Sequence, residues 1–94
     1  MNNRGKILWV DDEIQHLKPH ILFLKDKGYE LFKANNGQDA IALAKSNIFD
    51  LVLLDHSMPG MDGLETLAEL KKIRQNQIII MITKTEDEWL MDEA

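Results

Sequence analysis

The chain contains no cysteine. A disulfide framework and a thiolate metal site are both excluded, which fits a cytoplasmic setting. It has little positive charge: 11 lysines and arginines face 16 acids, for a formal charge of −5. That balance disfavours direct contact with nucleic acid or an anionic membrane surface. Long hydrophobic runs are missing too. No segment reaches the ~20 apolar residues that span a bilayer, and Met1 to Lys6 lacks the apolar core of a signal peptide. Glycine and proline number five and two; there is no Gly-rich phosphate loop, serine elbow, zinc motif, internal repeat or low-complexity tract.

What remains is an ordinary globular composition, with 45% hydrophobic and 29% charged residues over 94 positions. One small domain over residues 1–94 is expected, burying roughly 60–65% of its unfolded surface. Lys6-Ile7-Leu8-Trp9-Val10 is a short apolar run ending in Asp11-Asp12-Glu13, and reads as a first strand. Ile14, Leu17, Ile21, Leu22 and Leu24 recur at helical spacing up to Lys27. Pro19 falls inside that helix, so it kinks there or starts in earnest only there. Gly28 is a helix stop. Tyr29 to Lys33 is a weak second strand, Asn35-Asn36-Gly37 a turn, and Gln38 to Ser46 an Ala-rich helix turning Ile41, Leu43 and Ala44 inward.

The third strand, Asp50 to Leu54, carries the run Leu51-Val52-Leu53-Leu54 straight into Asp55. A continuous apolar run of that length suits a strand buried on both faces. Met58-Pro59-Gly60 stops it. Gly63 to Arg74 is a helix with Leu64, Leu67, Leu70 and Ile73 spaced three apart. Ile78 to Ile82 is the most β-prone run and reads as the fourth strand, ended by Thr83-Lys84-Thr85. Glu86 to Ala94 begins a fourth helix, with Thr85 as its N-cap and acids in its first turn. Alternating strands and helices imply an α/β fold with a doubly wound parallel sheet.

In such a sheet the carboxyl ends of the strands share one edge, where ligands bind. Asp11, Asp12, Asp55 and Thr83 all lie at strand ends and so converge. Carboxylates ~5 Å apart at an effective dielectric of about 20 repel by roughly 3 kcal/mol per pair. The cluster therefore needs a shared proton or a cation, and hard oxygen ligands at an open site favour Mg²⁺. A carboxylate beside Mg²⁺ can be a nucleophile toward phosphorus, forming an aspartyl phosphate. Each residue also has a plainer reading. An acidic pair alone suits a solvated turn or helix cap, and a lone strand-end threonine suits a hydroxyl bonded to backbone; it is the set that points to a site. His16 and His20 lie four apart, but Pro19 between them and the lack of a third ligand argue against a metal. Trp9 reads as core near enough to the acids to report on them.

The pieces Ile7-Leu8-Trp9-Val10-Asp11-Asp12-Glu13, Leu53-Leu54-Asp55, Met58-Pro59-Gly60-Met61-Asp62-Gly63 and Met81-Ile82-Thr83 together resemble the receiver domain of two-component response regulators. The resemblance implies a flavodoxin-like sheet of strand order 2-1-3-4-5, an order that comes with the family. It implies that Asp55 accepts a phosphoryl group from a sensor histidine kinase. Asp12 would be a direct Mg²⁺ ligand, Asp11 would act partly through water, and the Ser57 carbonyl would be a third protein ligand. The Thr83 hydroxyl would bond the phosphoryl oxygen and shift inward on activation. Such a domain catalyses only its own phosphorylation. Lys18 to Leu24 and Ile82 to Glu86 resemble the subgroup in which the receiver precedes a PglZ-type output domain, making this chain the front piece of something longer.

Two departures from the family lead to further expectations. Its fifth strand, ended by a lysine that holds the phosphoryl group, and its fifth helix have no counterpart, so the chain reads as truncated. Lys84 stands where a small residue usually borders the site. Without a fifth strand, Ile78 to Ile82 becomes an edge, and homodimerisation, element swapping or association through this strand is expected. The alternative function is a binding module that keeps the fold and does not switch. A phosphatase is disfavoured, because Ser57 stands where a second acid would serve as general acid.

Overall fold

The computed structural model describes residues 4–58 and 60–83. Within them the elements run β1 (Gly5–Val10), a 3-10 turn (Ile14–Leu17), α1 (Lys18–Asp26), β2 (Tyr29–Ala34), α2 (Gly37–Ser46), β3 (Leu51–Asp55), α3 (Gly63–Ile73) and β4 (Ile79–Ile82). The four strands form one sheet in the order β2-β1-β3-β4, and every pair is parallel. This is the doubly wound order expected for the first four strands. Lys84, the Thr85 cap and the helix expected over 86–94 lie outside the described residues. Among those residues no helix is long and apolar enough to cross a membrane.

The sheet is buried unequally on its two sides. Leu8, Val10, Val52 and Leu54 are fully buried and pack with Ala40 and Ala44 of α2 and Leu70 of α3. The alternate residues of the strands face α1: Trp9, with Leu31, Leu53 and Ile82, meets Ile14, Ile21 and Leu24. This period of two, read on both faces, is why the strands look continuously apolar in sequence.

Three boundaries and two faces differ from expectation. The first helix is broken as Pro19 suggested: a 3-10 turn precedes α1, and Pro19 sits in the first turn of the α-helix. A continuous helix from Ile14 would need an N–H on Pro19 to reach the Gln15 carbonyl, and proline has none. β3 begins at Leu51 and ends on Asp55 itself, because the Asp50 carboxylate instead accepts the Lys6 N–H at 2.7 Å. β4 begins at Ile79 and leaves Ile78 exposed. Leu22 of α1 and Leu64 of α3 are exposed rather than buried. A spacing of three lags the 3.6-residue turn, so a row begun at Leu64 drifts off the packed face. Thr66, fully buried, takes the place on that face.

Both later helices start on side-chain caps. Asn36 accepts the Asp39 N–H at 2.7 Å. Asp62 and Glu65 form a reciprocal capping box, with bonds of 2.9 and 3.2 Å, an arrangement that satisfies two donors a helix start leaves over. Gly63 is the tightest joint in the fold. A Cβ on it would sit 2.6 Å from the Asp55 carbonyl oxygen and 2.7 Å from the His56 Cα. Only glycine lets α3 begin against the end of β3, where its N–H donates to the His56 carbonyl at 3.0 Å.

Candidate functional site

Strand register brings the predicted residues to one edge. Val10 pairs with Ala34 on one side and Leu54 on the other, and the next rank holds Asp11 and Asp55. The Asp11 N–H bonds the Ala34 carbonyl at 3.0 Å, extending the ladder one residue past β1. Asp55 pairs with Ile82, and the His56 N–H donates to the Ile82 carbonyl at 2.8 Å. Thr83, half-buried, therefore follows β4 directly at the same edge.

Asp11, Asp12 and Asp55 each offer a carboxylate oxygen, and these oxygens lie within 4.8 Å of one another. Asp11 is 1% exposed and Asp55 is fully buried, whereas Asp12 is half-buried. Two of the three carboxylates are thus withdrawn from the water that would screen them. At this separation each charged pair costs roughly 3 kcal/mol at an effective dielectric near 20. The two buried acids are also held by their neighbours. Asp11 Oδ1 accepts the Glu13 N–H at 2.8 Å, and Asp55 Oδ1 accepts the Ser57 N–H at 3.2 Å. Each bond closes a local turn that fixes the carboxylate at its strand end. An all-oxygen set of this charge fits a hard divalent cation and no softer metal.

Ser57 is exposed just beyond Asp55, tied back through its N–H. His16 and His20 do not join the cluster; His20 packs edge-on against Trp9, with ring centroids 6.3 Å apart. Trp9 is core, as expected. Sequence reading assigned no role to the carbonyl of Ile82 or to the missing Cβ of Gly63, both of which position the Asp55–Ser57 segment. The first is a backbone acceptor and leaves no signature in residue type. The second stood in a recognisable Asp-Gly step, but the contact it relieves is visible only in three dimensions.

Comparison with known proteins agrees with this arrangement. Residues 7–94 match the model of the response regulator receiver domain. The chain is 36% identical over 85 residues to the transcriptional regulatory protein ResD of Bacillus subtilis, covering 90% of this chain and 35% of that protein. It is 35% identical over 83 residues to the transcriptional regulatory protein SrrA of Staphylococcus aureus, covering 88% and 34%. The chain thus spans about a third of the length of these relatives. Among solved structures, the response regulator TrrA of Thermotoga maritima, in complex with Mg²⁺-BeF, superposes with a TM-score of 0.78 at 37% identity, over 93% of this chain and 75% of that one. The chemotaxis protein CheY4 of Vibrio cholerae gives a TM-score of 0.78 at 32% identity, over 94% and 76%. With sheet order, acidic edge and sequence in agreement, the chain belongs to the response regulator receiver domain family.

Proposed function

We propose that this chain is a Mg²⁺-dependent phosphoacceptor of two-component signalling, with Asp55 taking the phosphoryl group from a sensor histidine kinase. The observation that carries this reading is the convergence of three carboxylates at the sheet edge, two of them buried. Asp11, Asp12 and Asp55, with the Ser57 carbonyl, would hold Mg²⁺, which when bound neutralises charge on the carboxylates and on the incoming phosphoryl oxygens. A carboxylate oxygen of Asp55 forms the new bond to phosphorus, and the donor's bond to phosphorus breaks with its electron pair leaving on the donor. The turn to Ser57 and the α3 start at Gly63 keep Asp55 aimed outward from the sheet. The Thr83 hydroxyl, at the end of the neighbouring strand, donates to the transferred group and relays its presence. The chain in this reading is a cytoplasmic signalling module that catalyses only its own phosphorylation and hands the signal to an output domain or partner.

Intact mass after incubation with Mg²⁺ and a small-molecule phosphodonor tests this directly, with Asp55→Asn alongside. The expected result is gain of one phosphoryl group in the wild-type chain, none in the variant, and none when Mg²⁺ is chelated. No gain in the wild type would favour a module that keeps the fold and binds partners without switching.

A further inference from the structure

The groove between α1, β2 and the start of α2 is a second site of distinct chemistry. It encloses about 600 Å³, within the range of specific ligand sites. Its floor includes the buried Ile21 and Ala34, and Leu22, 62% exposed, forms part of its wall. Lys18, Lys25 and Lys33 also line it. Other lysines of the chain are engaged: Lys72 pairs with Glu69, Lys71 donates to the Gln77 carbonyl, and Lys6 and Lys27 lie over phenylalanine rings. The three groove lysines meet no carboxylate at ion-pair distance among the described residues. The acid that lines the groove is Asp39, whose carboxylate already accepts from the Asn36 amide at 3.0 Å. Three lysines against one aspartate make the groove cationic on a chain of net charge −5.

We propose that this groove docks an acidic amphipathic helix of a partner protein. An apolar floor ringed by unpaired ammonium groups rewards a ligand that brings apolar side chains and carboxylates together. Lys18 and Lys25 are seven residues apart, two turns and about 10.5 Å along α1. A helix laid beside α1 presents acids at the same spacing, with its apolar stripe turned to Ile21 and Leu22. Lys33 on β2 closes the other side. Docking here leaves the acidic edge open, so the partner and a phosphodonor can be held together.

The test uses a fluorescein-labelled helical peptide of about 14 residues, roughly four turns, with a leucine stripe flanked by glutamates. A lysine-for-glutamate counterpart is the control. Both are titrated by anisotropy into the 94-residue chain, its K18Q/K25Q/K33Q variant and the single variant Lys25→Gln. The expected result is binding of the glutamate peptide only, weakened about tenfold by the triple change and less by the single one, and falling with added salt. Amide shift changes should centre on Ile21, Leu22 and Ala34. Equal binding of both peptides, no binding, or shifts centred on β3 and β4 would overturn the proposal. So would glutarate alone reproducing the shifts, which makes the groove a small-anion pocket. A change of oligomeric state in the triple variant would name a second copy as the occupant instead. No phosphodonor is present, so the result is independent of Asp55 chemistry.

Discussion

The two faces of the sheet are built from the same strands and differ in how well they are closed. On one side α2 and α3 together cover Leu8, Val10, Val52 and Leu54, each of them fully buried. On the other, α1 covers Trp9, but Leu51, Leu53 and Ile82 stay half-buried and Ile80 is 49% exposed. The strand residues are equally apolar on both sides, so their type does not decide their burial. What decides it is the number of helices laid across each face. The acidic edge draws on both: Gly63 ties it to α3, and the segment from Asp11 to Ile14 ties it to α1.

The largest effect expected of this difference is at Leu54. Leu54→Ala, on the closed face, should cost about 3–4 kcal/mol, because the packed neighbours from two helices cannot collapse into the space. Leu53→Ala, one residue along on the same strand, should cost only about 1–2 kcal/mol, since its side chain is already partly hydrated. Urea unfolding of both variants checks the contrast. Equal losses would mean that the α1 face is closed in solution. Between them falls Gly63→Ala, expected to cost about 1–3 kcal/mol by pushing α3 away from the end of β3. It should also weaken Mg²⁺ binding, read through Trp9 fluorescence in a Trp89→Phe background, whereas Leu53→Ala should leave that binding unchanged.

Most of this architecture is legible in the sequence, and the exceptions have physical reasons. Alternation of short apolar runs with helical spacing gives the sheet, and strand ends carrying Asp11, Asp12, Asp55 and Thr83 give the edge. Burial on each helix is less legible. Leu64 sits in a regular apolar row and is exposed, while the polar Thr66 is fully buried, its hydroxyl satisfied by the Asp62 carbonyl at 2.9 Å. A hydroxyl that bonds back to its own helix loses its polar cost, so residue type misstates where it can go. The Asp50 bond to the Lys6 N–H and the Gln77 bond to the Phe49 carbonyl at 3.1 Å join segments far apart in the chain. No local pattern announces such bonds.

The smallest effect expected is also the sharpest test of the open face. Ile80 lies in β4, and among the described residues that strand has β3 as its only neighbour in the sheet. Its side chain is 49% exposed, so Ile80→Thr keeps β-branching and removes little buried area. In an isolated chain the change should move stability by no more than about 0.5 kcal/mol. If copies of the chain associate through β4, the same change removes apolar area at the contact. Light scattering over a concentration series would then shift toward monomer while the urea midpoint at high dilution stays fixed. A large loss of stability at high dilution would instead place Ile80 beneath a covering element of its own chain, and the two faces would prove equally closed.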